Sequence, residues 1–323
     1  MNSPEAILLL PRLRIQNANA ISSHMTWGFP SPTAFTGFVN ALQRRVGTEL
    51  GLIFDGVAIV SHRFDPQISQ PNGRRHNVFK LTRNPVSKNG SVASIVEEGR
   101  AHLDVSLLVG VTGDGLYTGQ DPRAVCVRIA EVVESMRLAG GSIVAPFGVR
   151  KEREELALIP WPGTADEERM LNRRIVRRIL PGFALVSRRA LLSQVLSELK
   201  QINPEATELE ALLDATRINV EPPLSGEAGP WTIRKRTGWI VPVPLGYAAI
   251  SQVFEPGSVR NTRDGVTPFR FVESVVGLGE WLSPHRVDDV RDLLWYNTAD
   301  DAAGLYGCGT PRFDKQLAPE KGI

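Results

Sequence analysis

"LLLPRLRIQNANAISSHMTWGFPSPTAF", residues 8–35, opens as an apolar strand and closes as the first turn of a helix. In the strand, residues 6–15, Ile7, Leu9, Leu13 and Ile15 fall on one face while Arg12 and Arg14 fall on the other. One face predicts core, and the other water or a ligand. At the far end Ser31 and Pro32 supply an N-cap and a proline at the first helical position. Phe35, Phe38, Val39, Leu42 and Val46 then recur at helical spacing. Residues 16–31 between them form a polar loop, far longer than the about 2–6 residues usual in such units. A long ordered loop at a strand end is a candidate site.

The same reading extends outward. Residues 56–64, GVAIVSHRF, predict a second strand, and residues 101–111, AHLDVSLLVGV, a third, where Leu103, Val105, Leu107, Val109 and Val111 alternate with His102, Asp104 and Ser106. A second helix opens at Asp121 and Pro122, turns Val125, Ile129, Val132, Val133 and Met136 inward and stops at Gly140 and Gly141; residues 141–149 supply a further strand. The order is βαββαβ, an α+β class with the split arrangement of ferredoxin-like and RNA-recognition-motif folds. With both helices on one side of the sheet, Arg12, Arg14, His102, Asp104 and Ser106 are candidates for the uncovered face.

Residues 65–100 interrupt this core with Arg74, Arg75, Lys80, Arg83 and Lys88 and two Asn-Gly turn signals, which predicts a basic hairpin arm. Residues 150–220 predict a helical insertion. There Asp166 caps a helix lined by Arg169, Arg173 and Arg177, with Arg174 and Arg178 extending the arc and Leu171, Ile175 and Ile179 facing elsewhere; Pro181 and Gly182 end it. A linker at 221–230 leads to a β-rich region through residue 323 with a short helix near 284–295. The expected organisation is therefore a core at 1–149, the helical insertion at 150–220 and the β-rich region at 221–323.

Composition narrows the function classes. At 323 residues, 42% hydrophobic and 22% charged, the chain is an ordinary folded protein, and its net charge of +2 makes any basic site local. Cys126 and Cys308, the only cysteines, suggest neither a disulfide framework nor a paired zinc site and fit a reducing cytoplasm. The first apolar run is too short to span a membrane and has no basic region before it.

The arm mixes cations with His76 and Phe79, the combination single-stranded nucleic acid requires, although an ordinary charged hairpin has the same composition. Gln16, Asn17, Asn19, Ser22 and Ser23 can read base edges or, alternatively, cap their own backbone. Trp27 is a stacking surface or a core plug. The arginine helix offers bidentate phosphate ligands or a solvated face paired with Glu152, Glu154, Glu155, Glu167 and Glu168. The five histidines are scattered, and no GxSxG elbow, Walker loop or HExxH helix occurs.

The blocks LLLPRLRIQNANAISS, TWGFPSPTAFTGFVNALQRRVG, VFKLTRNP, IVEEGRAHLDVSLLVG, MRLAGGSI, RRILPGFALVSR and FVESVVGLGEWLSPHRV, running on to LLWYNTAD, resemble the Cas-five-class RAMP subunit of type I-F CRISPR surveillance complexes, the Csy complexes. The resemblance spans nearly the whole chain. It implies a ferredoxin-like RAMP core and a non-catalytic, cytoplasmic protein of antiviral defence that needs no cofactor or metal. It also implies RNA binding at the 5′ handle of CRISPR RNA, a heterodimer with the large subunit, contact with backbone RAMP subunits and, through the Cascade-like assembly, double-stranded DNA targets; no membrane is involved. Candidate RNA contacts are Arg14, Asn17, Asn19, Ser22, Ser23, Trp27, Arg63, Arg74, Arg75, His76, Phe79, Lys80 and Arg83. Arg169, Arg173, Arg174, Arg177 and Arg178 are candidates for a DNA backbone or a partner. The alternative is a RAMP endoribonuclease that processes precursor CRISPR RNA, with His24 or His76 as acid or base.

Overall fold

The computed structural model describes residues 3–83, 85–144, 155–223, 229–234 and 238–317. The fold is mixed α and β. Its elements are β1 (Ala6–Asn19), α1 (Pro32–Leu42), β2 (Ile53–Pro66), β3 (Arg100–Thr112), α2 (Pro122–Glu134), β4 (Gly141–Val144), β5 (Ala157–Pro160), α3 (Ala165–Ile179), β6 (Phe183–Ser187), α4 (Arg189–Ile202), α5 (Glu208–Thr216), β7 (Trp239–Ala249), β8 (Val272–Leu282), β9 (Tyr296–Asp300) and β10 (Leu305–Gly309). Among the described residues one antiparallel sheet of eleven strands runs in the order Arg137–Leu138, β4, β1, β3, β2, β6, β8, β7, β10, β9, with β5 extending the track of β4 beside β1.

Strands β1 to β4 therefore lie in the order β4-β1-β3-β2, all antiparallel. Strand β6 then continues the sheet from the edge of β2 into the C-terminal strands. Residues 150–220, expected to be helical, thus also contribute two strands. At the far end the sheet bends back: Val57 and Trp295 exchange backbone hydrogen bonds of 3.0 and 2.9 Å, which brings the start of β9 against β2. Gly56, with φ 75°, forms the bulge that frees Val57 for this pairing, and a Cβ there would lie 2.5 Å from the Tyr296 ring. Trp295 is fully buried and donates from Nε1 to the Leu185 carbonyl at 2.7 Å.

Strand β1 departs from simple alternation. Pro11 has no N–H to give a central ladder, and the register shifts between Leu10 and Leu13, with Arg12 at φ 52°. Each side chain beyond the bulge changes face. Leu8, Leu10, Leu13 and Ile15 therefore share the core under α1 and α2, whereas Ile7 and Leu9 pack on the opposite side with Leu171, Ile175 and Ile179 of α3. The predicted grouping of Ile7 and Leu9 with Leu13 and Ile15 is corrected by this bulge. The second face of β1 is solvent-facing only beyond Arg12, because α3 covers the first half.

Other boundaries shift for local reasons. The polar stretch after Ile15 is strand as far as Asn19, through a second bulge at Asn17, φ 58°, a conformation asparagine tolerates better than most residues. It then forms a ribbon of Ile21–Ser23 with Thr26–Trp27. Helix α3 is preceded by Thr164 rather than capped by Asp166, which lies in its first turn. Helix α2 ends at Glu134, and the glycines expected to stop it make a tight turn with Ala139 at φ 50° and Gly140 at φ 76°. The expected strand at 141–149 is observed to Val144, and residues 145–149 lie outside the described residues. Of the C-terminal tryptophans, Trp231 and Trp239 are exposed.

Candidate nucleic-acid interface

Past the end of α3 the sheet leaves a polar strip across β1, β3 and β2. In register, Arg14 faces Asp104, Asp104 faces Arg63, and His102 faces Asp65. These residues and Gln16 line a shallow groove of about 300 Å³. Arg63 pairs with Asp65 at 2.8 Å while its side chain stays 66% exposed. The strip carries carboxylates beside its cations, so it suits directional hydrogen bonding better than indiscriminate attraction of phosphate. Gln67, which sequence reasoning missed, joins its amide to Asn17 Oδ1 and lies 3.2 Å from His102 Nε2. Arg100, also missed, donates to the Asn17 carbonyl at 3.2 Å and pairs with Glu98 at 2.6 Å. Both reach Asn17 across the bulge there, which the sequence does not show.

Where α3 ends, His62 is held in a fixed tautomer. Its Nδ1 donates to the Pro181 carbonyl at 2.6 Å, so Nε2 accepts from the Ser106 hydroxyl at 2.7 Å, and Ser106 Oγ in turn accepts from the Arg12 amide at 3.0 Å. Arg12 donates to the Leu180 carbonyl at 3.2 Å. Arg12 and Ser106, candidates for the uncovered face, thus serve to anchor the turn after α3. Burial lowers the His62 pKa below 6.5; the bond to Pro181 opposes this and the charge of Arg12 reinforces it. The unfolded chain takes up this proton near its ordinary value of about 6.5, the folded chain at lower pH. Stability from this site is therefore full above that value and is lost as pH falls below it. His62→Gln is expected to flatten the acid limb of a stability–pH profile, read by thermal melts between about pH 7.5 and about pH 5.

The bend after β1 is largely self-satisfied. Asn19 Oδ1 accepts from the Ile21 amide and its Nδ2 donates to the Ile21 carbonyl, Ser22 Oγ accepts from the Ser31 amide at 3.2 Å, and Ser23 Oγ accepts from the Met25 amide. These side chains shape the bend. Trp27, a stacking surface or a core plug by sequence, is 60% exposed and meets Phe79 edge to face at 5.5 Å between centroids. That contact joins the bend to the arm.

The arm consists of two short ribbons, Ile68–Ser69 with Val78–Phe79 and Leu81–Arg83 with Ile95–Glu97, and turns fall at both Asn-Gly pairs. Arg74, Arg75, His76 and Lys80 are exposed, and among the described residues neither the arginines nor the lysine has an ion-pair partner. The side chain of Arg83 lies outside the described residues. On α3, Arg169 pairs with Asp166 at 3.1 Å and Arg178 donates to the Glu155 carbonyl, while Arg173, Arg174 and Arg177 are exposed. Of the acidic residues expected to neutralise the helix, Glu168 turns instead to Trp161 and Arg291, and Glu152 and Glu154 lie outside the described residues.

His24 and His76 are both exposed, with His24 3.8 Å from Glu273. Among the described residues no cluster of three or more potential metal ligands occurs, and no helix is long and apolar enough to cross a membrane.

Sequence comparison places this sheet, with its polar strip and basic arm, in a CRISPR-associated protein. The family described as CRISPR-associated protein (Cas_Csy2) matches residues 8–308, and the chain belongs to it. It is similar to CRISPR-associated protein Csy2 of Pseudomonas aeruginosa (strain UCBPP-PA14), at 57% identity over 320 residues, 97% of this chain and 98% of that protein.

Proposed function

We propose that this protein is a non-catalytic, RNA-holding subunit of a type I-F surveillance complex of the Csy, Cascade-like kind, and that it grips the 5′ handle of CRISPR RNA. The observation that carries this reading is the arm: Arg74, Arg75 and Lys80 stand exposed with no ion partner among the described residues, and Gln67 at its base bonds Asn17 at the polar end of β1. Backbone phosphates would lie on these cations, while Asn17, Gln67 and the strip from Arg14 to Arg63 would discriminate base edges, since phosphate contacts position and base contacts specify. The strand order β4-β1-β3-β2 with helices after the first and third strands supports a ferredoxin-like RAMP core.

In this reading the protein works in the cytoplasm as a heterodimer with the large subunit, abuts backbone RAMP subunits, and meets double-stranded DNA only through the complex. Sequence recognition of that DNA belongs to guide pairing. Arg173, Arg174 and Arg177 are exposed along α3, and in this reading they follow a DNA backbone, the second candidate being an acidic face of the large subunit.

Co-expression with the neighbouring genes, followed by sequencing of the co-purified RNA, tests the assignment: a defined guide with an intact handle is expected. Incubating the protein with repeat RNA without added metal is expected to leave that RNA uncut. Cleavage that disappears in His24→Ala or His76→Ala would establish the endoribonuclease alternative.

A further inference from the structure

Between the bend after β1 and strands β2, β6, β7 and β8 lies a cleft of about 410 Å³ whose lining is mainly apolar. Its floor is built from Phe29 and Trp281, which meet edge to face at 4.9 Å. Its rim is unusual. Trp27 is 60% exposed, Trp239 56% and Phe183 46%, although each is large enough to bury substantial apolar area in a core. Trp239 meets Phe183 at 5.4 Å and the Trp281 ring of the floor at 6.4 Å, so rim and floor form one aromatic wall.

We propose that this cleft receives one unstacked nucleobase of the bound RNA. The inference rests on the RNA-holding reading and names a subsite within it. Three observations select a base over an apolar protein side chain. Arg63, paired with Asp65, lines both this cleft and the shallow polar groove, so the two are continuous and a base entering the cleft would pass a side chain that donates hydrogen bonds. The arm is joined to the rim through the Phe79–Trp27 contact, which places a cationic segment and the cleft mouth on one continuous path. Planar aromatic walls with a cation at the edge match the requirements of a base turned out of its stack, because every base offers a π-face whatever its sequence. The polar groups at the rim, among them Ser22, Thr26 and Ser61, are few. Shape and stacking would dominate over hydrogen-bond readout.

The test uses the assembled complex carrying a guide with a fluorescent base analogue at one handle position at a time, 2-aminopurine for purines and pyrrolocytosine for pyrimidines. At one position emission is expected to be quenched, and Trp239→Leu is expected to raise it several-fold when read per RNA retained in the complex. Trp27→Ala, on the exposed bend, is expected to raise it likewise and guards against a folding defect in the first variant. Emission unmoved by both variants at every position, with RNA retained, overturns the subsite and leaves the RNA-holding reading intact. Loss of the large subunit from either variant with emission unmoved assigns the cleft to a protein contact and overturns it equally. A wild-type complex without RNA overturns both.

Discussion

Trp295→Ala is expected to destabilise the protein by about 3–5 kcal/mol, the range for deleting a large buried aromatic that leaves a cavity. Trp295 does more than fill space. Its backbone exchanges hydrogen bonds with Val57 and its indole N–H satisfies the Leu185 carbonyl, so one residue ties β2, β6 and the start of β9 together. Alanine retains the backbone pair and strands a buried carbonyl beside the void, a further cost of about 1–3 kcal/mol where the structure cannot relax. Denaturant titration is the direct measurement, with a lower midpoint at an unchanged slope. Trp295→Phe, which keeps most of the volume and loses the donor, is expected to fall between. A loss under about 1 kcal/mol for the alanine variant would mean that the closure of the sheet is not held at this residue.

Arg74→Ala combined with Arg75→Ala is expected to weaken RNA retention in the assembled complex without moving protein stability. Both side chains are exposed and neither has an ion pair to lose. Each phosphate contact on single-stranded nucleic acid contributes about 0.7 to the slope of log K against log salt, so the double variant is expected to flatten that slope by about 1.4. Uniform weakening across handle sequences accompanies the change, because phosphate contacts carry no sequence information. Unchanged retention and slope would mean that the arm meets protein rather than RNA. The complementary variant, Asn17→Ala, acts on the bulge and its bond to Gln67 and is expected to relax sequence preference while leaving the salt slope alone.

The βαββαβ order and the arm were legible because strand alternation, the Ser31-Pro32 and Asp121-Pro122 helix starts and the Asn-Gly turns are local signals. The facing of β1 was not, since alternation assumes a regular ladder and the bulge at Arg12 reverses it. Pro11 announces that break once the strand is known to be central, and centrality is a tertiary fact. Strand β6 escaped notice for a similar reason. Phe183–Ser187 is five residues between helices, and its role as the link between β2 and β8 appears only when both neighbours are placed. At the candidate site, exposed cations could be named from composition. The carboxylate between them could not, because Asp104 stands opposite both Arg14 and Arg63 only through register across three strands, whereas Asp65 meets Arg63 two residues along one strand. Trp27, Trp231 and Trp239 show the limit of average burial preferences, since residue type favours the core and these three stand at the surface.

Determination of the assembled complex with its guide examines the central claim most directly, at the positions of Arg74, Arg75 and Lys80. Phosphate oxygens of an unpaired, uncut stretch of RNA at hydrogen-bond distance from these side chains, about 2.7–2.9 Å, are the predicted result. An arm turned away from every nucleotide, with the handle held elsewhere, would contradict it.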